Sequence, residues 1–253
     1  MNKKSLKFSQ IKSPLLATHR GYGKLGPIAE NTLPAFLAAQ KEGFEAHELD
    51  VRRTKDNVAV LFHGPFLEKT SNGYGRIEEK TFEEVSQLNF AKYIAQETFT
   101  PITRLDEYLS AMGTNTISNI EIKRDKQDKS LGLEEAVLEA IQKTDSIERV
   151  FVSSFNPFCL KRMQKLDHSL PLGLLIEPTR FFGFFEVFNS RKLKLAAIHP
   201  HYSNITRKRV RRWHSKGLKI ATWTVNDISK IRQLCDWGVD IIITDNIPAI
   251  HLL

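Results

Sequence analysis

Acidic residues recur two positions apart in stretches that otherwise resemble buried strands. Glu48 and Asp50 flank Leu49, and Glu121 stands two residues before Lys123. Residues two apart on a strand share a face, so Leu49 must face a helix-packed layer if both acids face the interior. Carboxylates held together repel one another unless a cation lies between them. Three carboxylates without cysteine ligands suit a hard divalent cation, Mg²⁺ or Ca²⁺, although simple Glu–Lys pairing would also place acid and lysine on one face.

Two histidines could supply acid–base chemistry next to such a cation. His19 and Arg20 stand side by side at the end of one apolar run, and His63 follows another. A neutral imidazole beside a guanidinium suits proton transfer next to a phosphate, although a strand end with a solvated arginine would show the same pattern. Together with the carboxylates and Lys123, these residues form a phosphodiester-cleaving set. The cation and the basic groups would hold the phosphate, and the histidines would act as acid and base.

These residues are distributed over a chain in which short apolar runs alternate with amphipathic stretches. The predicted strands are Leu15–Thr18, Phe44–Val51, Val58–Phe62, Ile117–Ile122, Val150–Ser153, Leu172–Ile176, Leu195–Ile198, Leu218–Val225 and Val239–Thr244. The predicted helices include Leu33–Glu42, Leu133–Lys143, Pro157–Leu166, Arg207–Lys216 and Ile228–Trp237. Short β-branched runs suit strands buried on both faces. Their alternation with helices predicts an α/β fold with parallel strands.

One of the nine runs cannot belong to a parallel barrel. Only six residues separate Val51 from Val58, whereas a parallel crossover needs about a dozen. The run Val58–Phe62 should therefore fold back antiparallel on the preceding strand. A turn centred between residues 55 and 56 would then bring His63 level with about Glu48. The other eight runs fit a TIM (β/α)8 barrel.

The connection between His63 and Glu121 is long for a single strand-to-helix link. Its first part is rich in turn residues, and a helical piece follows around Glu83–Leu88. We interpret it as a small insertion at about 64–116 over the barrel mouth, within one domain spanning 1–253. In barrels of this type the chemistry lies at the carboxyl ends of the strands, where the polar residues above are expected to meet.

The composition excludes several classes of protein. The chain has 253 residues, of which 41% are hydrophobic and 26% charged, so it is neither disordered nor collagen-like. Its two cysteines make neither a disulfide scaffold nor a cysteine-built zinc site. No apolar run reaches the roughly 20 residues of a membrane span, and no signal-peptide core follows the charged start. A cytoplasmic protein is expected. The net charge of +8 favours anionic partners.

Two further segments suggest surfaces outside the carboxylate and histidine set. Five phenylalanines occur within Phe181–Phe188, where an apolar lip could contact a lipid surface, although a helix packing on the barrel explains them better. Basic residues cluster in Arg207–His214. Val210 and Trp213 lie three apart within this cluster, which favours a barrel-coating helix with a solvated basic side over a nucleic-acid site.

Eight short motifs, in order along nearly the whole chain, resemble those of the glycerophosphodiester phosphodiesterases. They are His19-Arg20-Gly21, Glu30-Asn31-Thr32, the block from Glu48 to His63, Leu67 to Gly75, Asn119 to Lys123, Ser153-Ser154-Phe155, Trp223 to Asn226 and Ile242 to Asp245. Any one of these motifs is weak, but eight in order are specific.

This resemblance implies a TIM barrel that hydrolyses glycerophosphodiesters to sn-glycerol 3-phosphate and an alcohol. It implies a divalent cation, Mg²⁺ or Ca²⁺, on Glu48, Asp50 and Glu121. It implies that His19 and His63 are the acid–base pair and that Arg20 and Lys123 contact the phosphate. A metal-binding or positioning role is open to Glu30. Trp223, which follows a strand towards the mouth, is expected to pack on the glycerol carbons unless it is a core residue; His199, His201 and Tyr202 follow another strand end and could line the same pocket.

The chain departs from the family pattern at two positions. Gly64 stands where an aspartate commonly follows the second histidine, and Arg104 stands at a helix start where an acidic or small polar residue is expected. Two other functions remain open. A relative on the same barrel could cleave a lysophospholipid, as a lysophospholipase D does, or a sphingolipid headgroup, and Phe181–Phe188 would favour this. A non-catalytic protein could bind a phosphate ligand, and Gly64 is the one hint of it.

Overall fold

The computed structural model describes residues 7–11, 14–22, 26–94, 98–123, 132–178 and 193–251. Its nine strands form one sheet, and β1 pairs with both β2 and β9, so that the sheet closes into a barrel. The strands are β1 Leu15–His19, β2 Ala46–Arg53, β3 Ala59–Leu61, β4 Ile117–Ile122, β5 Val150–Ser154, β6 Leu172–Ile176, β7 Ala197–Pro200, β8 Lys219–Thr222 and β9 Ile241–Thr244. All strands except β3 run parallel to their neighbours, which confirms the predicted (β/α)8 barrel.

The extra strand β3 pairs antiparallel with β2, as the short connection between them predicted. Val51 lies opposite Leu61, and the amide of Phe62 donates to the carbonyl of Asp50 at 2.9 Å. Continuing this register places His63 level with Leu49, one residue further along β2 than expected from the sequence, because the turn centres on residue 56. The hairpin therefore brings His63 back towards the acidic residues of β2.

Helices cover the outside of the barrel. In the part of the chain that the structure describes, the helices are α1 Leu33–Lys41, α2 Phe82–Ser86, α3 Leu105–Met112, α4 Leu133–Lys143, α5 Pro157–Leu166, α6 Arg207–His214 and α7 Ile228–Asp236. The short α2 belongs to the segment that follows His63 and packs in a separate cluster. In α6, Val210 and Trp213 are buried and most of the basic residues are exposed, as expected for a barrel-coating helix. Helix α3, whose start at Arg104 the family resemblance implied, packs beside α4. The insertion from residue 64 onwards therefore leads into a helix of the outer layer, and its limits remain a prediction.

Apolar side chains fill the amino-terminal end of the barrel and leave the other end to polar residues. Ala17, Ala46 and Ile117 belong to one buried cluster, in which the rings of Phe8 and Phe151 lie 4.6 Å apart. His19, Glu48 and Asn119 lie two residues further along the same strands, and so on the same interior faces. The polar residues thus meet at the carboxyl ends of the strands.

A separate apolar cluster supports the segment that follows His63. Val60 and Phe62 from the hairpin pack there with residues of the segment 64–104, which we call the excursion. The rings of Phe62 and Phe90 meet edge to face at 5.7 Å. The segment Phe181–Phe188, for which a lipid contact was considered, lies outside the described residues. Among the helices of the described residues, none combines the length and apolar character that a membrane span requires.

Candidate active site

Three carboxylates converge at the carboxyl end of the barrel. Asp50 on β2 lies directly opposite Glu121 on β4, and one oxygen from each of Glu48, Asp50 and Glu121 lies within 4.8 Å of the others. All three side chains are buried. Leu49, between the two acids of β2, packs in the cluster between barrel and helices, as the alternation of faces predicted.

Two cations neutralise part of this negative charge. Lys123 Nζ lies 3.0 Å from Asp50 Oδ1 and 2.6 Å from Glu121 Oε1. Arg20 Nε lies 3.0 Å from Asp50 Oδ2, and its Nη1 lies 3.1 Å from Glu30 Oε1. Burial alone would raise the pKa of Asp50, but the charges of Lys123 and Arg20 outweigh it and hold that pKa well below its usual range. Asp50 is therefore ionised.

The other two carboxyl groups are biased towards the protonated form. Burial raises the pKa of Glu48, and the charges of Asp50 and Glu121 raise it further. Burial also raises the pKa of Glu121, against the effect of Lys123. A bound cation would displace the protons that such raised pKa values favour. Because the donor atoms are all carboxylate oxygens that share one small space, the residues fit a hard divalent cation.

The loop after β1 holds Asp50 from a second side. Asn31 Nδ2 donates to Asp50 Oδ2 at 2.9 Å, and Asn31 Oδ1 accepts from the amide of Asp50 at 3.1 Å. The amide of Asn31 donates to the carbonyl of Arg20 at 2.9 Å. Arg20 and Asn31 both have positive φ, 59° and 56°, a left-handed conformation that costs energy in non-glycine residues and persists where surrounding contacts enforce it. Asn31 is part of the Glu30-Asn31-Thr32 motif, but its two hydrogen bonds with Asp50 were not predicted from the sequence.

His19 is held between two carboxylates. Its Nδ1 lies 2.8 Å from Asp245 Oδ1, and its Nε2 lies 3.9 Å from Glu48 Oε2. Asn226 fixes Asp245 in turn, because its Nδ2 donates to Asp245 Oδ2 at 3.1 Å and its Oδ1 accepts from the amide of Asp245 at 2.8 Å. An Nδ1–H donated to Asp245 leaves Nε2 to exchange a proton on the side of the acidic cluster. This role of Asp245 was not predicted, although the residue directly follows a predicted strand.

His63 is positioned through its backbone. Arg52, itself buried, donates from Nε to the carbonyl of His63 at 3.0 Å, and its Nη1 lies 2.7 Å from Glu78 of the excursion. Burial lowers the pKa of the His63 imidazole to about 4, and the positive charges of Arg20 and Lys123 act in the same direction, against that of Asp50. The ring is therefore neutral near pH 7.

Gly64, the first departure from the family pattern, is not required by the backbone. A Cβ at this position would meet no heavy atom closer than the Phe66 amide nitrogen at 4.0 Å. The carbonyl preceding it is held by Arg52. The loop that carries His63 is therefore tied to the excursion by an arginine.

A cleft of about 220 Å³ opens onto these residues. One part of its wall is charged and includes both histidines; another is apolar and includes Phe155, Leu175, Ile243 and Trp223. The residues lining the cleft are His19, Arg20, Glu48, His63, Asn119, Glu121, Lys123, Phe155, Leu175, Glu177, Trp223, Thr224 and Ile243. The cleft thus has a place for a charged group next to a place for a carbon chain.

Trp223 lies where the sequence placed it, at the mouth. Its ring meets that of Phe155 edge to face at 5.4 Å, and its Nε1 donates to the carbonyl of His199 at 3.0 Å. The expectation that His199 and its neighbours line the pocket is wrong for the described cleft. His199 is fully buried and packs on Phe151, with ring centroids 5.4 Å apart. His201 packs edge to face on Trp223, with ring centroids 5.3 Å apart, and does not line the cleft.

Comparison with known proteins gives consistent matches over the whole barrel. Residues 19–249 match the Glycerophosphoryl diester phosphodiesterase family. A glycerophosphodiester phosphodiesterase from Caldanaerobacter subterraneus is 34% identical over 238 residues, which cover 92% of this chain and 94% of that protein. One from Bacillus altitudinis is 30% identical, covering 90% and 92%. The solved structure of an Oleispira antarctica phosphodiesterase in complex with the product sn-glycerol-3-phosphate has a TM-score of 0.79 and 27% identity, covering 94% of this chain and 96% of that one.

Proposed function

The chain belongs to the glycerophosphoryl diester phosphodiesterase family, and from this membership we propose that it hydrolyses glycerophosphodiesters to sn-glycerol 3-phosphate and an alcohol, with a divalent cation as cofactor. The convergence of three buried carboxylates at a cleft that two histidines also line supports this function most strongly. The product bound to the Oleispira antarctica relative supports the same substrate class.

Glu48, Asp50 and Glu121 would hold the cation, Mg²⁺ or Ca²⁺. When bound, it supplies positive charge to the phosphate and lowers the pKa of a hydroxyl in its shell. Arg20 and Lys123 line the same cleft and would contact the phosphate oxygens. Both side chains are ionised, because the neighbouring carboxylates raise their pKa values despite burial.

The histidines would move the protons. In a glycerophosphodiester, a free hydroxyl lies beside the phosphate-bearing carbon, and an internal nucleophile held close gains up to about 7–11 kcal/mol over a free one. One member of the His19 and His63 pair takes the hydroxyl proton while the hydroxyl oxygen bonds to phosphorus. The other protonates the leaving alcohol oxygen as its bond to phosphorus breaks. Water then opens the five-membered cyclic phosphate with the histidines in exchanged roles, which restores both.

The apolar wall would receive the carbon skeleton. Trp223 and Phe155 present ring surface to the cleft, and burying carbon against it is favourable at about 25 cal/mol per Å². Trp223 is held in place by its bond to the carbonyl of His199. The glycerol carbons therefore have a fixed surface beside the charged wall.

A substrate whose neighbouring hydroxyl is replaced by hydrogen tests the proposed route. The internal-nucleophile mechanism predicts that this analogue binds but is not cleaved, whereas glycerophosphocholine is. Cleavage at a comparable rate would show that a water molecule attacks instead. A matched pair of variants, His63→Asn and the exposed His168→Asn, separates the proposed acid–base role from a general effect of histidine loss: only the first should abolish release of sn-glycerol 3-phosphate. Turnover of lysophosphatidylcholine in preference to glycerophosphocholine would favour the lysophospholipase D function instead.

A further inference from the structure

Asn119 carries a buried hydrogen-bond donor beside the cleft. It lies on β4 two residues before Glu121, is 2% exposed and lines the cleft. Its Oδ1 accepts from Ser153 Oγ at 2.8 Å, whereas its Nδ2 has no hydrogen-bond partner among the described residues. Leaving a buried amide N–H unpaired is costly. The amide is thus turned by Ser153 so that its N–H group is free for a ligand.

The position of Asn119 suggests which ligand group it meets. It lies level with Glu48 in the pairing of β2 and β4, beside the acidic cluster. Of the uncharged side chains that line the cleft, Leu175 and Ile243 have no hydrogen-bonding group, and Trp223 Nε1 already donates to a backbone carbonyl. Asn119 and Thr224 remain to meet a hydroxyl, and Asn119 is the one beside the acidic cluster. Glycerol esterified at one end carries two hydroxyls, of which one is the proposed internal nucleophile. The second, terminal hydroxyl would be buried at a cost unless a polar group meets it.

We propose that Asn119 Nδ2 donates a hydrogen bond to the terminal hydroxyl of the glycerol moiety, so that the cleft selects glycerol over other 1,2-diols. This proposal rests on the proposed function, because it takes a glycerophosphodiester as the substrate. Ser153 is a positioning residue, since it fixes the amide and does not line the cleft. A site built to bond a hydroxyl rejects an analogue that lacks it far more strongly than an apolar pocket rejects a missing methylene.

Two chromogenic diesters that differ in this hydroxyl alone test the proposal. They are the p-nitrophenyl diester of sn-glycerol 3-phosphate and 2-hydroxypropyl p-nitrophenyl phosphate, which keeps the hydroxyl beside the phosphate-bearing carbon. The wild-type kcat/KM should be roughly 100-fold or more higher for the glycerol diester. In Asn119→Ala the two values should lie within roughly threefold of each other, because the partner of the extra hydroxyl is gone. Ser153→Ala should give an intermediate ratio, meaning the kcat/KM for the glycerol diester divided by that for the hydroxypropyl diester.

Ser154→Ala is the matched control. Ser154 follows Ser153 on β5, but its Oγ donates to the carbonyl of Ile122 at 3.0 Å and does not line the cleft. Ser154→Ala removes this hydrogen bond, so it should lower the melting temperature and leave the ratio at the wild-type value. Calorimetric binding of sn-glycerol 3-phosphate against propane-1,2-diol 1-phosphate should show the same preference, and Asn119→Ala should lose it.

An unchanged ratio in Asn119→Ala, or a wild-type ratio near one, would overturn the role of Asn119 while leaving the phosphodiesterase function standing. If Asn119→Ala does not fold, a Ser153→Ala variant with the full wild-type ratio would overturn it. Wild-type protein that cleaves neither diester in Mg²⁺ or Ca²⁺ would overturn the proposed function, and the role of Asn119 with it.

Discussion

Replacing Asp245 by asparagine should harm catalysis more than removing its side chain altogether. The two carboxylate oxygens of Asp245 have different partners: Oδ1 lies 2.8 Å from His19 Nδ1, and Oδ2 accepts from Asn226 Nδ2 at 3.1 Å. An asparagine has only one side-chain oxygen. If that oxygen keeps the bond from Asn226, the amide NH₂ faces His19 Nδ1 and requires it to accept. The proton of the neutral ring then sits on Nε2, where His19 can no longer take one up.

The expected loss in kcat differs between the two variants, because one fixes the wrong tautomer of His19 and the other only removes a hydrogen bond. A wrongly protonated ring loses most of the roughly 10²–10⁴-fold that a positioned acid or base contributes, so Asp245→Asn should lower kcat by roughly 10³-fold or more. Asp245→Ala leaves the ring free to adopt either tautomer. It loses one charge-assisted hydrogen bond of about 1.5–3 kcal/mol, equivalent to roughly 10- to 100-fold.

The assay is kcat for release of sn-glycerol 3-phosphate at saturating cation. Asp240→Asn is the control, because Asp240 pairs with His214 Nε2 at the same 2.8 Å but lies at the opposite, amino-terminal end of β9. This variant should retain wild-type kcat even if its melting temperature falls. An Asp245→Ala variant slower than Asp245→Asn, or an Asp245→Asn variant within threefold of wild type, would refute the tautomer argument.

Three further predictions concern charge, positioning and pH. Glu48→Gln should lose more than roughly 10²-fold in kcat but should melt in chelator no lower than wild type, because it removes one of three repelling carboxylates; clear destabilisation in chelator would contradict this. Arg52→Ala should lower kcat by roughly tenfold, about the worth of its hydrogen bond to the His63 carbonyl, with little change in KM. Arg76→Ala is the control, because it removes another cation beside Glu78, and it should leave kcat unchanged. Burial lowers the pKa of His199 to about 3, so between that pH and about 6.5 the unfolded chain binds a proton that the folded chain does not. The free energy of unfolding should therefore fall as pH drops through this window, by up to about 1.4 kcal/mol per pH unit for this group. Urea titrations at pH 4.5 and pH 7 should show a smaller fall for His199→Gln than for wild type. An equal fall in both proteins would show that His199 is not the cause.

The sequence predicted those parts of the site that depend on one strand alone. The two-residue period of a buried strand places Glu48 and Asp50 on one face and Leu49 on the other, and the structure has this arrangement. The short link after β2 required a hairpin, which fixed His63 to within one residue of its observed level.

Contacts between distant segments could not be read in the same way. His19 and Asp245 are 226 positions apart in the sequence, and they meet only because β1 pairs with β9 and closes the barrel. Arg52 meets Glu78 because the excursion folds back over the hairpin. Neither contact leaves a periodic pattern in the sequence, so single-strand reasoning has no signal for it.

Helix α3 begins without a favourable capping side chain. Arg104 stands at its start in place of a side chain that could accept a hydrogen bond from the first turn. The structure compensates with acidic residues inside the helix: Asp106 pairs with Arg104 Nε at 2.9 Å, and Glu107 Oε2 accepts from the Arg104 amide at 3.4 Å. The second departure from the family pattern is thus accommodated by charge within the first turn.

The most direct test of the proposed reaction is product analysis of glycerophosphocholine turnover by cation-stripped protein. We predict no turnover in chelator, and release of sn-glycerol 3-phosphate and choline in equal amounts once Mg²⁺ or Ca²⁺ is added to wild type but not to Glu121→Gln. Turnover that persists in chelator would contradict the role of Glu48, Asp50 and Glu121 as cation ligands. Release of glycerol and phosphocholine would contradict the proposed reaction, because it requires cleavage of the other ester bond.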